Sequence, residues 1–325
     1  MFKAGSFFLL CFQVLFAGKI LVTGGQGFIG SHVTQMLIDH GYETVVLDLV
    51  GGDVQGDVRD GALLDRVFQE HEIDAVMHFA ACIRVGESVV DPLKYYDNNV
   101  VGTIALLGAM RRAGVDKVVF SSSAAVYGQP EDNLVETHGC QPMSPYGRTK
   151  RMIEQVLFDM DEAYGCRSVA LRYFNAAGGD PSGRVKNHNI EEANLIPIVL
   201  KRLKAGKRSV TVFGTDYDTP DGTCVRDYVH VDDLARAHKL ALEHLLDGGD
   251  SKVYNLGSGC GISVQEVLDA IKRYIDIPFE VIAGERRQGD VGTLIADSTK
   301  AHEGLGWEPK YDLDAMIRHA WKAMN

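Results

Sequence analysis

No two cysteines in this chain have the C-x-x-C spacing. The six present, Cys11, Cys82, Cys140, Cys166, Cys224 and Cys260, are scattered along its length. That excludes a disulfide scaffold and a zinc site, and reads as free thiols in a reducing compartment, the cytoplasm. The 11 histidines show neither H-x-x-x-H nor H-E-x-x-H, so no metal is expected. Positive charge is short: 33 lysines and arginines face 44 aspartates and glutamates, a net charge of -11. Nucleic acid and an anionic membrane surface are thereby excluded as partners. An anionic ligand would need a local cluster of arginines. The sequence holds no repeat and no low-complexity segment.

What is there describes a soluble globular protein. The chain has 325 residues, 46% hydrophobic and 24% charged, enough for a sizeable core and two domains or lobes. Residues 1–18 stand apart. Lys3 precedes the apolar run Phe7–Phe16, which resembles a signal-peptide core but is too short for a membrane-spanning helix. Leu15-Phe16-Ala17 makes a poor cleavage site, because a small side chain is wanted two before Ala17. At Lys19 a strand begins at once, so an N-terminal extension is expected in preference to a secretion signal.

That strand, Lys19–Thr23, runs into Gly24-Gly25-Gln26-Gly27-Phe28-Ile29-Gly30. A helix with Ile29, Val33, Met36 and Leu37 on one face follows. Strand, glycine turn and helix in that order are the context of a dinucleotide fingerprint. Gly24 allows the tight turn, Gly27 lets backbone approach a pyrophosphate, and Gly30 lets the helix close on the sheet. The pyrophosphate is expected on the helix N-terminus. A second strand, Glu43–Leu47, ends in Asp48, 18 residues beyond Gly30. An acid there bonds a ribose diol and repels a 2′-phosphate, which favours NAD over NADP. The connection from Asp48 to Gly56-Asp57-Val58 is too short for a crossover helix; Asp57 is left to cap the adenine.

Further βα units follow. Asp74–His78 is a strand, and Phe79-Ala80-Ala81 a small-residue turn where a cofactor can pass. A helix then runs through Val101, Ile104, Ala105 and Leu107 to Arg111, and Lys117–Phe120 is the next strand. Ser121-Ser122-Ser123 lies at its carboxyl end, where ligands of open α/β sheets bind. In Ser144-Pro145-Tyr146-Gly147-Arg148-Thr149-Lys150, Ser144 is a good N-cap and Pro145 suits the first helical position. The helix is expected to stop at Gly165. Tyr146 and Lys150 then share a face. Alone, such a pair equally describes two side chains on a solvated surface. Beside a nicotinamide it becomes a base, because an ammonium and a helix N-terminus both favour the phenolate. Lowering a phenol from about 10 to about 7 takes roughly 4 kcal/mol. A hydroxyl at Ser123 would meet the same substrate oxygen.

Past Asn175 the βαβ regularity lapses. Asp180–Asn194 is polar and loop-like, Asn194 opens a helix, and Ser209–Phe213 reads as a strand. The stretch 226–231 is expected to return the chain to the first lobe, with Asp232 capping a helix to Leu246. Ser263-Val264-Gln265-Glu266 is a capping box.

These motifs together resemble the extended short-chain dehydrogenase/reductase family, and within it the UDP-sugar 4-epimerases. The resemblance rests on TGGQGFIGSH (Thr23–His32), HFAA (His78–Ala81), VGES (Val85–Ser88), YYDNNVVGT (Tyr95–Thr103), FSSSAAVYG (Phe120–Gly128), SPYGRTK, LRYFNAAG (Leu171–Gly178), DGTCVRDYVHVDDLA (Asp221–Ala235), YNLGSG (Tyr254–Gly259) and RRQGD (Arg286–Asp290). It covers residues 19–325.

The resemblance implies an α/β fold, a Rossmann-type doubly wound parallel sheet with a smaller mixed C-terminal lobe. An NAD-binding domain is expected over 1–175, rejoined by 225–248, and a UDP-sugar lobe over 176–325. It implies NAD-dependent interconversion of UDP-glucose and UDP-galactose by oxidation at the sugar C4, with Ser123, Tyr146 and Lys150 as catalytic groups, in a homodimer. Phe28, Ile29, Val58, Asn98, Ser121 and Phe174 are implied to line the cofactor. Asn175, Asn194, Leu195, Phe213, Arg226, Tyr228, Arg287, Asp290 and Leu294 are implied to contact the UDP-sugar; the two arginines suit a diphosphate. Related 4,6-dehydratases and decarboxylases carry an acid just after the central hydroxyl. Ala124 and Ala125 stand there instead, which counts against elimination. A silent NAD-binding scaffold is disfavoured by the intact Ser123, Tyr146 and Lys150. UDP-pentoses and UDP-N-acetylhexosamines stay open as substrates. Ile83 replaces a lysine that some epimerases carry near the diphosphate.

Overall fold

The structure, a computed structural model, describes residues 18–128, 133–185, 194–286 and 291–324. The expected extension thus lies almost wholly outside the described residues. In chain order the first lobe consists of β1 (Lys19–Thr23), α1 (Phe28–Asp39), β2 (Glu43–Asp48), β3 (Val54–Gln55), α2 (Gly61–Glu70), β4 (Ala75–His78), α3 (Val85–Val90), α4 (Pro92–Tyr95), α5 (Gly102–Ala113), β5 (Lys117–Ser123), α6 (Pro145–Tyr164) and β6 (Arg167–Tyr173). The chain continues through β7 (Asn175–Ala177), α7 (Leu195–Lys204), β8 (Ser209–Phe213), β9 (Val225–His230), α8 (Val231–Leu246), β10 (Lys252–Leu256), β11 (Gly261–Ser263), α9 (Val264–Tyr274), β12 (Glu280–Gly284), β13 (Thr293–Leu294), α10 (Thr299–Leu305) and α11 (Leu313–Ala323).

Seven parallel strands form one sheet in the order β10-β6-β5-β4-β1-β2-β3. Its strands read as unbroken apolar runs because both faces are covered. Helices α1 and α8 pack over Val22, Met77, Val119 and Leu171. Helices α2, α5 and α6 pack over Leu21, Val76, Phe120 and Ala170. From β1 the chain winds outward to β3, then returns past β1 to lay down β4. The strand order therefore reverses between β1 and β4, and a crevice opens outside their carboxyl ends, where doubly wound sheets bind ligand.

No helix separates β2 from β3, which pair in parallel through Leu47↔Val54 and Asp48↔Gln55. So short a return works because Gly51 and Gly52 adopt φ of +76° and +83°, a region that favours glycine. The Asp53 carboxylate accepts the Val46 N–H at 2.8 Å and closes the loop. One expected helix proved to be composite: α5 is preceded by a π-helical turn, Tyr96–Val101. Another cap moved by two residues. His230 caps α8, its Nδ1 accepting the Asp232 N–H at 3.0 Å, so Asp232 is not the cap.

The second lobe is built on a small sheet of β11, β9 and β13, with β7 on β9, and on the parallel pair β8 and β12. Ile196, Leu200, Val267, Leu268, Ile271 and Ile317 fill its core. The capping box at Ser263 is formed in both directions. The chain re-enters the large sheet through α8 and β10, while β9 belongs to the small one. Among the described residues no helix is long and apolar enough to cross a membrane.

Helix α6 begins and ends where its caps require: the Ser144 hydroxyl accepts the Gly147 N–H at 3.1 Å, and Gly165 takes φ of +69°. Ser144→Ala is expected to lower stability by about 1 kcal/mol. Urea denaturation measures this, and an unchanged midpoint would show that packing alone holds the helix start.

Candidate active site

At the start of the crevice the glycine turn leaves no room for side chains. Gly24 has φ of +73°, and a Cβ on it would lie 2.6 Å from the Ala80 nitrogen. One on Gly30 would lie 2.3 Å from the Gly24 carbonyl oxygen. Gly27 caps α1 without a side chain, and the first turn of α1 carries no acid. An open helix N-terminus of this kind attracts a phosphate. Asp48 stands beside it at the end of β2, its carboxylate accepting the Gln26 N–H at 2.9 Å and the Val50 N–H at 3.2 Å. Next to the glycine turn the Phe79 and Ala80 N–H groups both donate to the Thr23 carbonyl. The close-packed turn, the uncapped helix and the acid at the strand end fit the pyrophosphate and ribose of a dinucleotide.

Other expected cofactor residues divide. Phe28 and Ile29 open α1, and Phe79 packs against His238 with the rings tilted and their centroids 4.8 Å apart. Phe174 is buried in a cluster with Ala124 and Tyr127. Val58 lies in the core beneath α5. Asp57 is drawn into an ion pair with Arg59 at 2.5 Å, which holds its carboxyl below the ordinary range. Asn98 donates to its neighbour Asn99 at 2.9 Å. It is Asn99 that ties the site together: it accepts the Cys82 N–H at 2.7 Å and donates to the Thr149 hydroxyl of α6 at 3.1 Å.

Ser123, Tyr146 and Lys150 meet at the carboxyl end of β5. The Ser123 hydroxyl lies close enough to the Tyr146 phenol to favour its ionised form slightly, and it accepts the Ala125 N–H at 3.1 Å. The Lys150 ammonium donates to the Ser121 carbonyl at 2.7 Å and lies 4.8 Å from the Phe120 ring centre and 5.9 Å from that of Tyr146. The lowering of the phenol expected beside a nicotinamide is not present in the chain alone. Burial pushes Tyr146 up to about 12, against a smaller opposing pull from Ser123, and pushes Lys150 down to about 7. A dry site penalises both charges before any ligand compensates them. Ser121 uses its hydroxyl on Tyr173 from β6.

The sequence reading missed His78. Its ring bridges the Thr23 hydroxyl at 2.7 Å and the Thr103 hydroxyl at 2.8 Å, and burial with the nearby Lys150 charge lowers it to about 3. A neutral imidazole thus joins β1, β4 and α5 below the reactive groups. Asp227 was missed too. Its buried carboxylate accepts N–H groups from Ser258, Gly259 and Ala296, fastening two loops to β9. A lone acid inside a strand offers no periodic signal for such a role.

Of the residues implied to contact the UDP-sugar, Arg287 and Asp290 lie outside the described residues. Asn175 donates to the Asp227 carbonyl at 3.1 Å, and Asn194 to the Ala176 carbonyl at 3.3 Å from the start of α7. Leu195 and Tyr228 pack into the second core, and Phe213 ends β8 partly exposed. Arg226 donates to the Val225 and Val291 carbonyls at 3.0 and 2.8 Å. Leu294 is opposite Arg226 in register and packs against the cluster that contains Ala124 and Phe174.

The unfolded chain's lysine titrates near 10.5 and the folded Lys150 near 7. Below about pH 7 both states bind the proton, and the folded state bears the full cost of a buried ammonium. Between 7 and 10.5 the folded state releases its proton, so stability rises with pH. Lys150→Met without ligand is therefore expected to be more stable than the parent at pH 7, by about 2–4 kcal/mol. The gap should narrow towards pH 10. Urea melts at both pH values check this, and a variant no more stable at pH 7 would refute the penalty.

The family model described as the NAD dependent epimerase/dehydratase family matches residues 20–257. The UDP-glucose 4-epimerase of Rhizobium meliloti (strain 1021) is 49% identical over 314 residues, 93% of this chain and 96% of that one. The crystal structure of UDP-glucose 4-epimerase from Brucella ovis in complex with NAD superposes with a TM-score of 0.91 at 45% identity, covering 95% of this chain and 98% of that one. UDP-glucose-4-epimerase from Stenotrophomonas maltophila, with bound NAD and formylated UDP-arabinopyranose, gives 0.90 at 41% identity, covering 94% and 98%. With the glycine turn and the Ser123, Tyr146 and Lys150 cluster already in place, these likenesses show that the chain belongs to the NAD dependent epimerase/dehydratase family and, within it, to the UDP-glucose 4-epimerases.

Proposed function

We propose that this protein interconverts UDP-glucose and UDP-galactose by transient oxidation at the sugar C4, with NAD as cofactor. One observation carries the assignment of roles: Ser123, Tyr146 and Lys150 converge at the end of β5, beside a glycine turn that fits a dinucleotide. Bound NAD supplies the acceptor, and then the donor, of the hydride at C4. The Ser123 hydroxyl orients the sugar 4-hydroxyl towards Tyr146, and Tyr146 takes its proton. With the phenol at about 12 in the protein alone, reaching neutrality requires about five pKa units, roughly 7 kcal/mol. Lys150, cationic and beside the ring, supplies part of that. The 4-keto sugar must then present its other face, so the site has to grip the UDP and leave the ring loose. We assign that grip to Asn175, Asn194, Leu195, Phe213, Arg226, Tyr228, Arg287 and Asp290.

Elimination chemistry is disfavoured because Ala124 and Ala125, the positions after Ser123, form a 3-10 turn without an acid. We further propose a homodimer joined through the layer of α5 and α6, whose outward Ile104 and Phe158 are 51% and 55% exposed. The free thiols among the described cysteines suit a cytoplasmic setting.

The test is conversion of UDP-galactose to UDP-glucose by purified protein without added NAD. Tyr146→Phe should fold and bind UDP-sugar but lose about 10²–10⁴-fold in kcat. Near-normal turnover in that variant would move the base elsewhere. Substrate range turns on Leu294. A leucine there partly fills the space an N-acetyl group would need, and overpacking costs about 1–3 kcal/mol, or roughly 5- to 150-fold in specificity. Leu294→Ser should shift kcat/KM towards UDP-N-acetylgalactosamine relative to UDP-galactose. If both activities fall together at a constant ratio, Leu294 serves packing alone.

A further inference from the structure

Tyr146 and Lys150 continue along the same face of α6 to a third buried residue, Glu154. Successive positions at this spacing stack one turn above the next. The Glu154 and Arg172 side chains are only 2% and 3% exposed. They form a two-pronged ion pair, Nε to Oε1 and Nη2 to Oε2, each 2.8 Å long. The Ser122 hydroxyl donates to Oε1 at 2.7 Å, and Arg151 reaches Oε2 at 3.1 Å from the exposed side. Arg172 also donates to the Tyr127 hydroxyl at 2.8 Å, which in turn donates to Asn255 at 2.7 Å. Ser122 and Arg172 are opposite one another in the β5–β6 register. The network thus joins α6 to β5, β6 and β10, and to the turn that follows Ser123.

A buried ion pair adds little net stability, since desolvation offsets its attraction, while removing one partner strands a charge. Location is the more informative feature. The Glu154 carboxylate is one turn from Lys150 and favours its charged form against burial. Other groups facing Lys150 do not supply that charge. Tyr146 is a buried phenol on the same helix. His78, from β4, is neutral near pH 7. The Ser121 carbonyl, from β5, offers a dipole. Tyr173, from β6, is a buried phenol held well above its ordinary value, and the Arg172 guanidinium from the same strand is occupied by Glu154 itself.

We propose that Glu154, held by Arg172, is a positioning residue for the reaction: it opposes the loss of the Lys150 proton that burial promotes and fixes the rotation of α6 that presents Tyr146 to Ser123. This rests on the roles assigned above to Tyr146 and Lys150, and it adds a device that sets the upper end of the working pH range.

The experiment compares kcat–pH profiles of the NAD-loaded wild type and Glu154→Gln with UDP-galactose. Glutamine keeps the shape and removes the charge. The alkaline limb, where Lys150 loses its proton, should move down by about one pH unit, with about tenfold lower kcat on that limb and little change in KM. A merely structural carboxylate would lower activity equally at every pH, and an unmoved limb overturns the inference. If Glu154→Gln does not fold, the double variant Glu154→Met with Arg172→Met leaves no stranded ion and carries the same comparison. Tyr146→Phe separates the two layers. If it retains activity, the assigned base is wrong; if it is inactive while the limb of Glu154→Gln stays in place, only the role of Glu154 fails.

Discussion

Exclusion of water from the groove between α6 and β5 is the constraint on which the site depends. Lys150 and Tyr146 are both buried there, and burial pushes the amine down and the phenol up. A site in that condition is poised: the charge separation needed for proton transfer is unfavourable until a ligand completes it. Strain of this electrostatic kind is tolerated because the elements on either side are over-determined. Asn99, His78 and the Glu154–Arg172 pair each tie the reactive groups to more than one strand or helix.

The sheet order explains why these groups lie at the same end of the sheet as the glycine turn. The reversal between β1 and β4 opens the crevice, and the glycine turn and the Phe79–Ala80 turn line it side by side. Gly24 packs so closely on Ala80 that the two turns form one wall. Three strands from β1 in the order, β6 carries Arg172 and Tyr173, so the same sheet that shapes the crevice anchors α6. The two-lobed design also divides labour. Ser123, Tyr146 and Lys150 sit on elements of the large sheet and its covering helix, while the small sheets carry Asn175, Phe213 and Arg226.

Much of this was legible beforehand because the relevant signals are local. Caps fix α6 through Ser144 and Gly165, glycines fix the turn after β1, and unbroken apolar runs mark strands buried on both faces. The absence of a helix between β2 and β3 followed from chain length alone. So did the sharing of one helix face by Tyr146 and Lys150, since four residues complete about one helical turn.

Other features depended on parts of the chain that are far apart in sequence. That Asn99, not its neighbour Asn98, bridges to α6 depends on a π-helical turn that no periodicity announces. The His230 cap depends on where β9 ends. The pairing of Glu154 with Arg172 depends on the register of β5 against β6 and on the depth at which α6 sits over both. The upward shift of Tyr146 in the chain without ligand has a related reason. Sequence spacing shows which charge stands nearby, but only the packed structure shows how little water remains, and desolvation is the larger effect here. Local backbone preference and pattern therefore determined the elements and the placing of Tyr146 and Lys150 on one helix face, whereas tertiary packing decided their protonation and their partners, because the dielectric around a side chain is set by everything folded against it.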